Sequence, residues 1–139
     1  MSGINVECGS FHGSDKSCTA LEGVVRELRG RIELGSPTWA ALDRLELVMA
    51  EPVNHFDIPA RDAAVLFPAF KAYFEDQRIE LGNPDPEEAP ERGDGLSVED
   101  LVAAKWGEGQ GWRFLCLYDL CRACEASLAT GKPLNFSRW

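Results

Sequence analysis

Cysteine and histidine are the residue types in this 139-residue chain whose spacing comes closest to a metal site. Cys8, His12 and Cys18 fall within eleven residues, and thiolate and imidazole groups are preferred zinc ligands. Cys121 or Cys124 would be available as the fourth ligand of a tetrahedral zinc site. The C-x3-H-x5-C spacing nevertheless lacks the tight C-x2-C pair of common zinc fingers. We therefore interpret these residues as ordinary loop residues and predict no metal and no cofactor.

Three further cysteines, Cys116, Cys121 and Cys124, have the C-x4-C-x2-C spacing that holds an iron–sulfur cluster in plant-type ferredoxins. That chemistry needs a loop around the sulfur atoms and a fourth cysteine further along the chain. Here the three cysteines lie in an apolar stretch with helical spacing, and no fourth one follows. An odd total of five cysteines also argues against a disulfide framework, so we predict reduced thiols packed in a core.

Two small clusters contain the residue types of acid–base chemistry. Ser10, His12 and Asp15 lie close together in sequence, but a catalytic triad normally draws its members from separate elements. His55 precedes Asp57 by two residues in a segment that we expect to reach the surface. We interpret both clusters as turn and loop residues, and we predict no catalytic residue.

Tryptophans beside an acidic segment favour protein binding. Trp106 and Trp112 flank a glycine-rich break, and exposed tryptophans contribute a large share of the binding energy at protein interfaces. Residues 82–97 contain three prolines, three glycines and five carboxylates, a composition that predicts a mobile loop. Core packing is the commoner fate of tryptophan. If the two tryptophans are exposed, we predict that they bind a partner together with carboxylates of the acidic segment. The predicted partner-binding residues are Trp106, Trp112, Glu88, Glu91 and Asp94.

The charge balance excludes several classes of partner. The chain carries 14 Lys and Arg against 23 Asp and Glu, which argues against binding to nucleic acid or to an anionic membrane surface. No apolar run approaches the length of a membrane span, and the first residues lack the pattern of a signal peptide. We therefore expect a cytoplasmic protein, and the length suits a single globular domain over residues 1–139.

Apolar periodicity predicts the elements that would position these side chains. Helices are predicted from Thr19 to Gly35, from Pro37 to before Pro52, from Pro59 with a kink at Pro68, from Ser97 to Trp106, and from Trp112 to Ala129. The last helix is apolar in almost every direction, which is typical of a central, surrounded helix. Short strands are predicted near residues 4–6 and 55–58, with 134–136 beside one of them. The predicted fold is mainly α (α+β), with four to five helices around the C-terminal helix and a small sheet near the chain ends; a helical bundle is the alternative.

Two passages carry a resemblance. The segment from His55 to Ala64, HFDIPARDAA, precedes an apolar helix, and the segment from Cys124 to Pro133 reads CEASLATGKP. Together they resemble small proteins of actinobacteria and their phages that have no assigned function. The resemblance implies a compact accessory domain and brings no catalytic motif with it.

The leading hypothesis is a non-enzymatic accessory protein that binds another protein by occupying its surface. A phage-encoded inhibitor, an immunity protein and a regulatory adaptor all fit this description, and the oligomeric state stays open. The alternative is a small-molecule or metal-binding domain, which could be either a binding protein or an enzyme. That alternative requires the side chains of Cys8, His12, Cys18 and His55 to converge.

Overall fold

The computed structural model of this chain describes residues 3–13, 16–82 and 108–138, with the backbone alone at 16, 17, 19 and 108–112. These ranges contain four helices and five strands. Their bounds, in chain order, are β1 (Gly3–Cys8), β2 (Phe11–His12), β3 (Lys16–Ser17), α1 (Cys18–Arg29), α2 (Pro37–Met49), β4 (His55–Ile58), α3 (Ala60–Glu80), α4 (Glu108–Thr130) and β5 (Leu134–Arg138). The fold is mainly helical and α+β, as the periodicity predicts.

The sheet is antiparallel, with strand order β2-β1-β5-β4, and β3 pairs with the first residues of β1. Strand β5 lies between β1 and β4 and pairs with both, whereas the sequence predicted only one of them as its neighbour. Val6, Phe136 and Phe56 are paired across three strands and are all buried. The rings of Phe56 and Phe136 stack with their centroids 4.9 Å apart. This row of side chains forms the inner face of the sheet against the helices.

Strands β2 and β3 were not predicted. Gly9, with φ 59°, allows a two-residue turn that brings Phe11 back opposite Cys8. The returning segment pairs with β1 twice, through Phe11 and His12 before Gly13 and through Lys16 and Ser17 after it. Strands of two residues are too short to show an alternation of apolar and polar residues. The sequence of β2 and β3 therefore does not predict a strand.

Close packing at Gly13 gives a testable result. A Cβ at this position would lie 2.9 Å from Oδ2 of the buried Asp119 on α4 and 3.0 Å from the carbonyl oxygen of Val6. We expect Gly13→Ala to lower the free energy of unfolding by about 2 kcal/mol, measured by urea denaturation. Gly23→Ala is the matched control, because its Cβ would meet only the Arg113 side chain, at 3.9 Å. Inside α1 that change should raise the free energy of unfolding by about 1 kcal/mol, and equal losses in both variants would contradict this account.

The ends of α1 differ from the prediction. The helix begins at Cys18, directly after β3, so Thr19 lies inside the helix and is not its N-cap. It ends at Arg29 rather than near Gly35, and Gly35 adopts φ 81° in the connection that follows. The start of α2 is as predicted, because the Ser36 hydroxyl accepts a hydrogen bond from the Trp39 backbone N–H at 3.1 Å.

Helix α4 is the central helix, as predicted. It packs most extensively against α3, and also against α1 and β1. It begins at Glu108, so Gly109 and Gly111, which belong to the predicted glycine-rich break, lie within the helix. Helix α3 runs through Pro68 from residue 60 to residue 80. The predicted helix at 97–106 and all but the first residue of the predicted loop at 82–97 lie outside the described residues.

An ion pair between an exposed arginine and a buried aspartate joins α2 to α3. Asp62, in the first turn of α3, is almost fully buried and accepts two hydrogen bonds from Arg44, at 2.9 and 2.7 Å. Hydrogen bonding to Asp62 raises the pKa of Arg44 above its ordinary value, so the guanidinium stays charged. Across the described ranges, no helix has both the length and the apolar character needed to cross a membrane.

Candidate functional site: the groove between α1 and α2

Helices α1 and α2 flank an open groove of about 660 Å³. Its apolar wall is formed by Val25, Trp39 and Met49. Charged side chains occupy its rim: Glu22, Arg26, Arg29 and Glu46. The small residues Gly30 and Ala50 line the remainder and leave the groove open. An apolar wall with a charged rim is the usual composition of a protein-binding surface.

Trp39 is the aromatic side chain of this groove. It is half-buried, and the guanidinium carbon of Arg29 lies 4.6 Å from the centroid of its ring. A guanidinium at this distance is attracted to the ring face and holds the indole in one orientation. The groove therefore presents a tryptophan whose ring already contacts Arg29 in the free chain.

Two carboxylates of α2, those of Asp43 and Glu46, form ion pairs with Arg29. Arg29 Nη2 lies 2.8 Å from an oxygen of Asp43, and Arg29 Nε donates to Glu46 at 3.0 Å. The hydrogen bond to Glu46 is the main reason why the pKa of Arg29 is raised above its ordinary value. The side chains of Asp43 and Glu46 are 53% and 44% exposed, so they keep oxygen atoms open to solvent. Arg29 is fixed and charged, and its two carboxylates still face water.

Trp39 was not predicted as a site residue, because it belongs to the apolar stripe of α2, which consists of Trp39, Leu42, Leu45 and Met49. In the structure that stripe divides: Leu42 and Leu45 are fully buried, whereas Trp39 and Met49 are half-buried at the groove. A signal was present in the sequence. Trp39 and Glu46 are seven residues apart, which places an aromatic ring and a carboxylate on one face of the helix.

The predicted partner-binding residues lie mostly outside the described part of the chain. Glu88, Glu91, Asp94 and Trp106 fall within residues 83–107. Trp112 lies in α4, but its side chain is not among those described. Their role in partner binding stays a prediction.

The two histidines lie on β2 and β4, the strands at the two ends of the strand order β2-β1-β5-β4. His12 Nδ1 lies 3.2 Å from Glu7 Oε1, and both side chains are exposed to solvent. His55 Nδ1 lies 3.2 Å from the Ser137 hydroxyl oxygen. Two strands separate β2 from β4, so the histidines are at least about 14 Å apart. The structure does not bring these two imidazoles together.

Cys8 and Cys18 are also far apart. Cys8 points to the inner face, where its thiol donates to the carbonyl oxygen of Lys132 at 3.6 Å, whereas His12 is exposed. Cys18 follows β3, which pairs with β1 at Gly3, so the two cysteines lie at opposite ends of β1. Within the described ranges, no group of three or more Cys, His, Asp or Glu side chains is arranged to hold a metal ion.

A second cavity, of about 630 Å³, lies beside β2 and α4. Ser10 and His12 line it together with Arg122 and Glu125. Asp15, the third residue of the predicted cluster, lies outside the described residues. Charges of both signs line this cavity, together with two apolar residues, Phe11 and Ala126.

The cysteines of α4 are core thiols, as predicted. Cys116, Cys121 and Cys124 are buried and free, and so is Cys8. Burial is the main reason why the pKa of Cys121 is raised to about 12, and burial likewise raises the pKa of Cys124. Thiolate is the nucleophilic form of cysteine, so these two side chains are unreactive at neutral pH.

Thiol labelling of the native protein follows from this burial. Cys18 is the half-buried cysteine, so we expect one thiol to react quickly with Ellman's reagent at pH 8. The other four should react only when the protein is unfolded in guanidinium chloride. Cys18→Ser is the control and should remove the fast phase. Rapid reaction of two or more thiols in the native protein would contradict the burial described.

Comparisons with protein-family models, with curated proteins and with solved structures give no match for this chain.

Proposed function

We propose that this chain is a non-enzymatic, cytoplasmic accessory protein that binds another protein and acts by occupying its surface. Inhibitors, immunity proteins and regulatory adaptors work in this way. The binding surface includes the groove between α1 and α2. The side chains that the sequence predicts to bind a partner are proposed to extend this surface: Trp106, Trp112, Glu88, Glu91 and Asp94.

The observation that supports this function is the fixed, partly exposed Trp39. Tryptophan and arginine are the residue types most often found at the energetic centre of protein interfaces. Trp39 and Arg29 are stacked, and Arg29 is held by Asp43 and Glu46, so neither side chain has much rotational freedom to lose on binding. A rigid surface binds more tightly than a flexible one of the same area, because less entropy is lost.

Affinity purification with point variants tests this function. The tagged full-length chain is expressed in its source organism, and the captured proteins are quantified by mass spectrometry. A true partner is expected to bind Trp39→Ala about 30-fold more weakly than the wild type, which corresponds to about 2 kcal/mol. Leu47→Ala is the matched control, because Leu47 lies on the same helix, is 69% exposed and does not line the groove.

The outcomes separate the two parts of the proposed surface. Loss of the partner in Trp39→Ala, but not in Leu47→Ala, supports the groove. Loss in Trp106→Ala or in the triple variant Glu88→Ala, Glu91→Ala, Asp94→Ala supports the predicted acidic segment. If no protein is enriched over a tag-only control, the proposed function is wrong.

A further inference from the structure

Strand β4 forms one edge of the sheet, and its outer side is open. The strand order β2-β1-β5-β4 gives it one neighbour, β5. The Arg138 N–H donates to the carbonyl oxygen of Asn54 at 2.8 Å, and hydrogen-bonded pairs alternate along an antiparallel ladder, so Phe56 also directs its backbone groups toward β5. The N–H and C=O groups of His55 and Asp57 therefore point away from the sheet. Over the described ranges, no backbone group pairs with them.

The side chains of these two residues are exposed and complementary in type. His55 and Asp57 lie on the outer face of the sheet, and Phe56 between them is buried. The Nδ1 atom of His55 lies 3.2 Å from the Ser137 hydroxyl oxygen. When that hydroxyl donates to Nδ1, the neutral ring carries its proton on Nε2, and an imidazole N–H is a good donor to a carboxylate. The edge thus presents a donor and an acceptor two residues apart.

This spacing makes the edge complementary to itself. If two antiparallel copies of β4 are related by a twofold axis at Phe56, His55 of each copy lies opposite Asp57 of the other. Both pairs are of the hydrogen-bonded kind, so the outward N–H and C=O groups of the two copies form four backbone hydrogen bonds. The registers on either side place Asp57 opposite Asp57 or His55 opposite His55. Only the register centred on Phe56 gives every His55 a carboxylate partner.

The inner face of the sheet continues across the same axis. Val6, Phe136 and Phe56 lie side by side on three strands, and Phe56 is the outermost and the most exposed of the three, at 7%. The axis makes the two Phe56 residues a non-hydrogen-bonded pair, in which side chains approach each other most closely. Aromatic side chains directly opposite each other are among the favourable cross-strand pairs. The same register therefore suits both faces of the sheet.

We propose that two copies of this chain associate through their β4 edges and form one continuous antiparallel sheet, in the order β2-β1-β5-β4-β4-β5-β1-β2. The occupant of the edge is a second copy, because the pattern of donors and acceptors matches itself at a single register. Each copy carries a net charge of −9, but salt screens that repulsion beyond about 8 Å at physiological ionic strength. The inference goes beyond the proposed function, which concerns a different protein bound at the groove.

Two variants of the full-length chain test the pairing by changing its charges. His55→Asp places two carboxylates opposite each other, and Asp57→Lys places a lysine opposite His55. Each variant alone is expected to dimerise about tenfold more weakly than the wild type, because the twofold axis changes both pairs at once. An equimolar mixture is expected to recover an affinity within about threefold of the wild type, since every pair in the mixed dimer is again opposite in type. Sedimentation equilibrium at physiological ionic strength measures these affinities.

Glu7→Lys is the matched control for Asp57→Lys. It makes the same change of charge on β1, which β5 separates from the β4 edge, and should change the affinity of dimerisation less than about twofold. Hydrogen exchange followed by NMR locates the interface. The backbone N–H groups of His55 and Asp57 are expected to exchange at least about tenfold more slowly in the dimer than in the monomer, because pairing protects them from water.

Three results would overturn the inference. They are a chain that stays monomeric up to about 1 mM, a dimer in which the N–H groups of His55 and Asp57 are not protected, and a mixture of the two variants that dimerises no better than either alone. Trp39→Ala should leave the affinity of dimerisation unchanged, because Trp39 lines the groove and not the β4 edge. Failure of this inference therefore leaves the proposed function standing, and the converse also holds.

Discussion

Phe136→Ala is expected to lower the free energy of unfolding by about 4 kcal/mol, more than any other single substitution considered for this chain. Phe136 is 2% exposed on β5, which pairs with β1 on one side and β4 on the other. Its ring stacks on Phe56, with the two planes 6° apart, and it is paired with Val6 on β1. Truncation removes contacts to both neighbouring strands at once.

The packing around Phe136 is tight, so the lost volume would stay open. The void that it lines together with Ile4, Leu21 and Leu120 measures only about 10 Å³, less than is needed for a second side chain. Surrounding residues can collapse only in part, and the remaining cavity adds to the lost burial. Urea denaturation monitored by circular dichroism measures the change.

Asn135→Ala is the matched control for Phe136→Ala. Asn135 is the preceding residue of β5 and points to the opposite, exposed face of the sheet. Its substitution should change the free energy of unfolding by less than about 0.5 kcal/mol. Similar losses in the two variants would mean that β5 is not buried on one face only.

Arg138→Ala is expected to lower the free energy of unfolding by about 3 kcal/mol. The Arg138 guanidinium donates to the carbonyl oxygens of Met49 and Val53, at 2.8 and 2.7 Å, and also to that of Glu51. These carbonyls belong to the end of α2 and to the connection that leads into β4, and a cation is favourable at the C-terminal end of a helix. The guanidinium also lies over the ring of Phe56, 5.2 Å from its centroid. Without it, three carbonyl groups lose their charged donor.

Arg138→Lys separates charge from geometry. One ammonium group cannot reach three carbonyls as the planar guanidinium does, so we expect it to restore less than half of the lost stability. Arg61→Ala is the control for removing an exposed arginine, and it should change the free energy of unfolding by less than about 0.5 kcal/mol. Full recovery in Arg138→Lys would show that the positive charge alone stabilises this connection.

Local patterns predicted the helices well and the short strands poorly. The serine and proline at residues 36 and 37 fixed the start of α2, since one accepts the first backbone N–H and the other has a helical φ. The all-round apolar character of α4 correctly predicted a surrounded helix. The two-residue strands β2 and β3 form because β1 offers a partner, and that partner is not visible in their own sequence.

The candidate site likewise depends on contacts between elements, which local patterns do not reveal. The sequence grouped Cys8, His12 and Cys18 by their spacing, but an antiparallel pair of strands alternates the direction of its side chains and separated them. Trp39 is one of the apolar positions of α2, and the folded chain leaves it half-exposed at the groove beside α1. Its contact with Arg29 joins residues of two different helices, which spacing within one helix does not reveal.

The sequence by itself determined the helical class of the fold, the central position of α4, the reduced state of the buried cysteines and the excess of negative charge. Each of these follows from composition or from a period that one element contains. The tertiary structure alone decided that β5 joins β1 to β4, that Arg138 holds the end of α2, and that Trp39 lines a groove. The physical reason is distance along the chain: these contacts join residues that are far apart in sequence, and only the packing of the folded chain brings them together.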